Sequence, residues 1–130
     1  GNKRTILFTS DGSFHMNLNE IATAVTNNLP IVIIVLNNCC LGMVRQWQTL
    51  FFGKRYSQTT MSRKTDFGLI ADAFGAKSYK LENPQDTEVV LKQAFSESGP
   101  CVVDVKIDID EKVLPMIPTG GTIKDIILKA

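Results

Sequence analysis

The sequence predicts an α/β domain in which a parallel sheet is covered by helices on both faces. Two observations support this class. Short apolar segments of strand length alternate along the chain with segments whose apolar residues recur at helical spacing. The most apolar segment, residues 31–36, contains no polar position, so it is expected in the middle of a sheet that is buried on both sides. This segment is far shorter than the roughly 20 residues that cross a bilayer, which argues against a membrane span.

The predicted elements follow one another as strand, helix, strand, helix, helix, strand, helix and strand, which is the order of a right-handed parallel α/β sheet. The segments of strand character are residues 5–9, 31–36, 77–81 and 101–107. The segments of helical character are residues 17–28, 41–50, 66–74 and 83–98. The third strand is partly polar, so we place it towards an edge of the sheet.

Local signals indicate where the helices begin and end. Asn17 and Asp66 are expected to be N-caps, and Pro84 opens the last helix. Gly75 is expected to end the helix that follows Asp66. The apolar residues predicted to face the core from the last helix are Val90, Leu91, Ala94 and Phe95.

Two segments lack a regular pattern. Residues 53–65 form the longest irregular stretch and are a candidate lid. Residues 113–130, which contain two prolines and a glycine pair, are predicted to be an extended arm that ends in a short helix around residues 123–128.

Composition limits the classes of partner. The 130 residues are expected to form one domain, because either half would be too small to bury a good core. Fourteen basic and 13 acidic residues give a net charge of +1, which argues against a cationic nucleic-acid-binding face.

Three cysteines, two of them adjacent, argue against a disulfide scaffold and indicate a reducing compartment. Gly1 in place of Met predicts that the chain is a piece of a longer protein.

Polar residues follow the first two strands at the points where ligands bind in doubly wound sheets. Asp11, Gly12 and Ser13 come after the first strand and offer backbone N–H groups at a helix N-terminus, which favours phosphate. Asn38 follows the second strand, so adjacent parallel strands are expected to bring it close to Asp11. With the carbonyl of Cys40 these oxygens suit Mg²⁺ or Ca²⁺. A metal and a helix N-terminus at one place predict a diphosphate ligand.

Simpler explanations stay open for each residue. Asp-Gly and Asn-Asn are common turn sequences, although their matching positions favour the metal site. His15 suits a capping or surface role better than catalysis, but it lies beside the predicted anion site. Cys39 and Cys40 are expected to be small packing residues, with a cysteine-dependent enzyme that uses Cys40 as the alternative. Trp47 and Met43 lie one turn apart, as expected of either core residues or a pocket wall.

Five motifs resemble, in this order, the thiamine diphosphate-binding domain of the acetohydroxyacid synthase (acetolactate synthase) large catalytic subunit. They are DGSFHMN at residues 11–17, LPIVIIVLNN at 29–38, LGMVRQWQ at 41–48, RYSQT at 55–59 and PMIPTGG at 115–121. The Asp-Gly to Asn-Asn pattern is shared by thiamine diphosphate enzymes in general, whereas the last three motifs narrow the resemblance to this family. It covers essentially the whole chain and implies the family's fold, truncated at its N-terminal side.

The resemblance implies a role for each matching residue. Asp11, Asn38 and the main-chain carbonyl of Cys40 would hold Mg²⁺, and Gly12 and Ser13 would donate backbone N–H groups to the diphosphate. The further residues implied to contact the cofactor are His15, Leu41, Gly42 and Met43. The residues implied to shape the pocket for the second keto acid are Val44 and Trp47.

The sequence departs from the family pattern at two places. Ser10 stands where the motif has its first glycine, which is tolerated only if that position does not need a positive φ. Cys39 and Cys40 replace the residues that usually follow Asn-Asn. Neither change removes a side-chain ligand, so both bear on cofactor affinity more than on cofactor identity.

The resemblance also implies an activity. The parent enzyme would decarboxylate pyruvate and join the product to a second 2-keto acid, such as pyruvate or 2-ketobutyrate, in branched-chain amino acid biosynthesis. Its FAD site and the glutamate that activates thiamine diphosphate would lie on other domains, so the chain alone is expected to be inactive. The parent is expected to be a homo-oligomer with a regulatory small subunit, either cytoplasmic in bacteria or in plastids or mitochondria. The alternatives are another thiamine diphosphate carboligase, such as glyoxylate carboligase, and a non-catalytic phosphate-binding or interaction module.

Overall fold

The computed structural model describes residues 3–62 and 64–129, and this part of the chain forms one four-stranded parallel sheet with the order β1-β2-β4-β3. The strands are β1 (Thr5–Ser10), β2 (Ile31–Asn37), β3 (Lys77–Leu81) and β4 (Cys101–Lys106). The helices are α1 (Asp11–Asn17), α2 (Ile21–Thr26), α3 (Gly42–Phe51), α4 (Phe67–Phe74) and α5 (Thr87–Ser96). Short 3₁₀ turns cover Leu18–Glu20, Pro84–Asp86 and Ile123–Asp125. The predicted fold class is confirmed.

The central strands β2 and β4 are buried on both faces over most of their length, as the apolar character of β2 predicts. On one face, side chains of β2 and β4 pack against α1, α2 and α4 through Phe14, Ile21, Phe67 and Ala71. On the other face, the alternate side chains of the same strands pack against α5 through Ala94. Because each residue of β2 from Val32 to Val35 is buried, each contributes about 1.5–3 kcal/mol to folding.

The first helix begins earlier than the sequence predicts. Asn17 was expected to be the N-cap, but its side chain makes no capping hydrogen bond. The cap is Ser10, whose hydroxyl accepts a hydrogen bond from the Ser13 N–H at 3.2 Å, and α1 starts directly after β1. The physical reason is the core: Phe14 lies one helical turn before Leu18, and the earlier start buries its ring.

The second half of the chain agrees more closely with the sequence. Asp66 caps α4 by accepting from the Leu69 N–H at 3.0 Å, and Gly75 ends the helix with a φ of 90°. β3 lies at an edge of the sheet. Phe95, predicted to face the core, is exposed because α5 packs on the sheet through the small side chain of Ala94.

The C-terminal arm carries less helix than predicted. Residues 123–128 were expected to be helical, but only the single turn Ile123–Asp125 forms, with Thr122 and Asp125 in a capping box. The chain then becomes extended, because the backbones of Met116 and Ile127 pair in an isolated antiparallel bridge.

Helix α3 lies beyond the carboxyl ends of the strands and is held there by the segment that follows β4. Gln46 is 3% exposed, and its amide bonds to Val113 and Met116. Nε2 donates to the Val113 carbonyl at 3.1 Å and to the Met116 Sδ at 3.0 Å, and Oε1 accepts from the Val113 N–H at 2.8 Å. Arg45 forms an ion pair of 2.8 Å with Asp110. These contacts orient α3 over the edge of the sheet where a ligand is expected.

Among the described residues, no helix has both the length and the apolar character that a bilayer span requires.

Candidate functional site

Two loops lie side by side at the carboxyl edge of the sheet. β1 and β2 pair in parallel with Ser10 opposite Leu36, so Asp11 follows one strand at nearly the level at which Asn38 follows the other. A small cleft between the two loops is lined by Asp11, His15, Asn37, Cys39, Met61, Thr65 and Phe67. The arrangement places the end of β2 next to the N-terminus of α1.

Asp11 is a buried carboxylate with an unsatisfied oxygen. The residue is 2% exposed, and within the described part of the chain its Oδ1 has no hydrogen-bond partner. Burial raises the pKa of Asp11 above its usual value, and the nearby backbone N–H groups of Gly12 and Cys39 act in the opposite direction. A buried carboxylate oxygen without a partner is costly. A cation bound at this oxygen would remove that cost.

The loop after β2 holds Asn38 in a defined position. Its Oδ1 accepts a hydrogen bond from the Cys40 N–H at 3.2 Å. Its Nδ2 lies so close to Gly42 that a Cβ atom on that glycine would be 2.9 Å away, which real side chains do not tolerate. A side chain at position 42 would therefore displace the Asn38 amide.

The carbonyl of Cys40 faces away from the segment beside it. The Met61 N–H donates to Cys39 O and the Leu41 N–H donates to Thr59 O, each at 2.8 Å, which makes Cys40 and Thr60 an antiparallel bridge. In such a bridge the central residues point their own N–H and C=O groups outward from the pair. Within residues 3–62 and 64–129, the Cys40 carbonyl accepts no hydrogen bond.

The donor set at this edge fits a hard divalent cation. The predicted set consists of the carboxylate of Asp11, the amide oxygen of Asn38 and the carbonyl of Cys40, and Mg²⁺ prefers oxygen ligands of this kind. The Asn38 oxygen has two lone pairs, so its hydrogen bond with Cys40 leaves one for a metal. The described residues contain no group of three His, Cys, Asp or Glu side chains around a common point. Phosphate oxygens and water would have to complete the coordination.

The turn into α1 offers less free backbone than the sequence suggests. The Ser13 N–H already donates to the Ser10 hydroxyl, so a diphosphate would have to share or displace this bond. Ser10 has a φ of −95°, so serine is accommodated without strain where the family has glycine. A Cβ atom on Gly12 would lie 3.2 Å from the Leu41 side chain, so the missing side chain keeps this turn open.

His15 is engaged within the protein at both ring nitrogens. Nδ1 is 3.0 Å from the carbonyl oxygen of Asp11, and Nε2 is 2.9 Å from the hydroxyl of Thr65. Its ring also packs edge-on against Phe67. These contacts join α1 to the segment before α4, so His15 supports the position of Asp11 in addition to lying near the predicted anion site.

An apolar pocket of about 590 Å³ lies along α3, the helix that follows the loop of Asn38 and Cys40. It is lined by Met43, Val44, Trp47, Gln48, Phe52 and Arg55. Trp47 is 38% exposed and Met43 is also exposed, so these two residues form a pocket wall and are not core residues. Sequence reasoning missed Gln48, Phe52 and Arg55. The sequence offered one indication of these residues. They lie within or between the LGMVRQWQ and RYSQT motifs, which carry the family resemblance.

The structure disfavours a cysteine nucleophile. Cys40 is buried, its Sγ donates to the carbonyl of Ile109 at 3.6 Å, and burial raises the pKa of its thiol. A thiol with a raised pKa holds little of the reactive thiolate at neutral pH. Cys40 therefore behaves as the packing residue that the sequence predicts. The same prediction is wrong for Cys39, which is exposed because it lies in the loop at the carboxyl edge of the sheet.

Acetolactate synthase large subunits are similar to the chain over nearly its whole length. The chain is 42% identical over 124 residues to the acetolactate synthase large subunit of Haemophilus influenzae, which covers 95% of this chain and 22% of that protein. It is 38% identical over 128 residues to the acetolactate synthase isozyme 2 large subunit of Escherichia coli, which covers 98% of this chain and 23% of that protein. The chain thus spans less than a quarter of the length of these relatives.

Solved structures share the fold of the chain, and a family model identifies its family. Benzoylformate decarboxylase from Polynucleobacter necessarius superposes with a TM-score of 0.78 and 26% identity, covering 87% of this chain and 21% of that one. A thiamine diphosphate-dependent 4-hydroxybenzoylformate decarboxylase from Rhodococcus jostii, with a TM-score of 0.76 and 22% identity over 85% of this chain and 21% of that one, shows the shared fold. Residues 1–105 match the family described as "Thiamine pyrophosphate enzyme, C-terminal TPP binding domain". The chain belongs to this family.

Proposed function

We propose that the chain is the cofactor-binding region of an acetolactate synthase large subunit. The similarity to acetolactate synthase large subunits extends over nearly the whole chain at about 40% identity, whereas the decarboxylase structures share 22–26%. The motifs GMVRQWQ and RYSQT, which surround the apolar pocket, support the same choice. The parent protein would decarboxylate pyruvate and join the product to a second 2-keto acid.

The observation that carries the proposal is the unsatisfied buried oxygen of Asp11. Asp11, Asn38 and the Cys40 carbonyl would hold Mg²⁺, and the N–H groups of Gly12 and Ser13 would face the diphosphate. When bound, thiamine diphosphate supplies the electron sink that decarboxylation of a 2-keto acid requires. The residues that would lie along the cofactor are Leu41, Gly42 and Met43.

The pocket on α3 suits a small apolar acid. Val44 and Trp47 present apolar surface that excludes water from bound substrate. Arg55 contributes a cation to the lining, and its Nε donates to the carbonyl of Phe52 at 3.0 Å. A 2-keto acid offers the matching pair of groups, an alkyl end for the apolar wall and a carboxylate for the guanidinium.

The chain is proposed to be one part of a larger active site. Two of its glutamates are engaged in other contacts: Glu97 accepts from the Tyr79 hydroxyl, and Glu88 pairs with Lys92. The glutamate that activates the cofactor, the flavin site and the contacts for a second subunit would come from other parts of the assembly. We therefore expect no acetolactate from pyruvate with the isolated chain, and measurable product would refute this division of roles.

Thermal unfolding with ligand tests the proposal. The melting temperature of the chain should rise when thiamine diphosphate and Mg²⁺ are added together, and stay unchanged with either alone. A ligand at 100 times its dissociation constant stabilises by about 2.7 kcal/mol, which is readily measured. Asp11→Asn should abolish the rise, because it removes the charged metal ligand. Asp72→Asn, which alters an exposed carboxylate on α4, is the matched control and should keep it. A rise that persists in Asp11→Asn contradicts the proposed site.

A further inference from the structure

Thr59 is a fully buried polar residue in the irregular segment after α3. It is 2% exposed, and its hydroxyl donates to Oε1 of Gln48 at 3.1 Å. Nε2 of the same glutamine donates to the carbonyl of Ser57 at 3.1 Å. One side-chain amide of α3 therefore holds residues 57–61, here called the strap, at two points.

The strap in turn holds the loop that carries the candidate metal ligands. Its backbone pairs with residues 39–41 through two hydrogen bonds of 2.8 Å, one from Met61 to Cys39 and one from Leu41 to Thr59. Cys39 has a φ of 55°, a left-handed conformation that is uncommon for residues other than glycine. Such a backbone persists where its surroundings determine it, and the strap supplies contacts on both sides of Cys40.

A main-chain ligand needs support of this kind. A carboxylate ligand can be aimed by its own side-chain rotamer, but a carbonyl points wherever the backbone directs it. The carbonyl of Cys40 faces away from the strap because the strap takes the N–H and C=O groups of the two neighbouring residues. If the strap moved, the backbone at Cys40 would be free to rotate.

We propose that Thr59 and Gln48 are positioning residues that hold the strap and thereby aim the Cys40 carbonyl at the metal. The inference rests on the proposed magnesium site. Partners one shell beyond a metal's ligands commonly alter metal affinity by about 10–100-fold when they are removed. Both residues act on the metal site through the strap. Gln48 also lines the apolar pocket, so Thr59, which is not among its lining residues, is the cleaner position for a test.

The test compares two substitutions at one position. Thr59→Val keeps the shape of the side chain and removes the hydroxyl, whereas Thr59→Ser keeps the hydroxyl. The Mg²⁺ concentration at half-saturation is measured at fixed thiamine diphosphate by the fluorescence of Trp47, the only tryptophan in the sequence. Thr59→Val should raise this concentration about tenfold, and Thr59→Ser should restore the wild-type value.

A second measurement needs no cofactor. Amide hydrogen exchange of the metal-free chain should be faster at Leu41 and Met61 in Thr59→Val, because these N–H groups form the bonds between strap and loop. Amides of β2 and β4 should exchange as in the wild type. General destabilisation would instead speed exchange throughout the sheet and overturn the proposal.

A third variant covers the case in which Thr59→Val does not fold. Gln48→Met removes the same hydrogen bond from the other side and should also raise the Mg²⁺ requirement. Wild-type Mg²⁺ affinity in a folded Thr59→Val or Gln48→Met variant overturns the inference, and so does an equal loss in Thr59→Val and Thr59→Ser. If the wild-type chain shows no Mg²⁺-dependent binding, the proposed function fails, whereas hydrogen exchange still reports on the strap.

Discussion

Gly42 is the residue at which the geometry of the candidate site is most sensitive to a single methyl group. A Cβ atom there would lie 2.9 Å from Nδ2 of Asn38, so one of the two must move. Gly42→Ala should leave the stability of the cofactor-free chain nearly unchanged, since alanine favours the helix that starts at this position. Mg²⁺-dependent binding of thiamine diphosphate should weaken about tenfold, as is common when the support of a metal ligand is lost.

Gly53→Ala is the control for this experiment, because its expected effects on stability and on cofactor affinity are the reverse of those of Gly42→Ala. Gly53 has a φ of 58° and no heavy atom within 4 Å of the added Cβ, so alanine there strains the backbone without touching the site. Gly53→Ala should lower the melting temperature and keep cofactor affinity. The Gly42 account is contradicted if both variants lose affinity to the same degree.

The residue types in the sequence predicted the metal-binding donor atoms, but they did not predict the side chains that hold those donors in position. Asp11 and Asn38 stand out in the sequence because carboxylate and amide residues directly follow two strands. Thr59 and Gln48 are ordinary polar residues in sequence, and only the tertiary structure shows that they bond to each other. Likewise, the Ser13 N–H was predicted to donate a hydrogen bond to a ligand. In the structure it donates to the hydroxyl of Ser10, and this bond can be inferred only once the start of α1 is known.

At the scale of elements, the cap of α4 provides a test with a defined pH dependence. Asp66 accepts from the Leu69 N–H and pairs with Lys80 at 2.6 Å, and the ion pair with Lys80 is the main cause that lowers the pKa of Asp66. Asp66→Ala should reduce the free energy of unfolding by about 1 kcal/mol at neutral pH. Chemical denaturation of both proteins measures this difference.

The sign of the pH effect follows from the direction of the pKa shift. A carboxyl whose pKa is lower in the folded state stabilises above its unfolded pKa of 3.8, and this contribution is lost as the pH falls through the folded pKa. The difference between wild type and Asp66→Ala should therefore shrink below about pH 4. Asp66→Asn keeps an acceptor for the cap and should cost less. A difference that grows in acid would contradict the assignment.

The elements whose boundaries could be predicted are those with a local signal at each end. Asp66 and Gly75 delimit α4 in the sequence as in the structure, because capping depends on neighbouring residues. The start of α1 was missed because Asn17 is an equally good capping residue, and the choice depends on burial of Phe14 by residues far along the chain. The position of α3 could not be predicted from the sequence either, because it depends on hydrogen bonds between Gln46 of α3 and Val113, which lies far along the chain.

At the scale of the whole molecule, the described structure leaves one long edge of the sheet apolar. β1 is an edge strand, and Ile6, Leu7 and Phe8 are all exposed, Phe8 to 66%. Exposed apolar edge strands promote association between copies. We predict that the chain self-associates as its concentration rises, and that Phe8→Lys shifts the equilibrium towards monomer. Sedimentation velocity measures both effects.

Leu128→Lys is the control for this prediction. Leu128 is as exposed as Phe8 but lies in the C-terminal arm, away from the edge strand. Its substitution should leave self-association as in the wild type. A chain that stays monomeric at every concentration, or an equal effect of both substitutions, would show that β1 is not the associating surface.

The central claim is that two loops from neighbouring strands close on one divalent ion. The most direct measurement is a crystal structure grown with thiamine diphosphate and Mn²⁺ in place of Mg²⁺, in which anomalous scattering locates the metal. The account predicts a single ion within about 2.1 Å of an Asp11 carboxylate oxygen, the amide oxygen of Asn38 and the carbonyl oxygen of Cys40, with diphosphate oxygens beside it. Ordered cofactor with the ion elsewhere, or with Asp11 and Asn38 turned away from a shared ion, would contradict it.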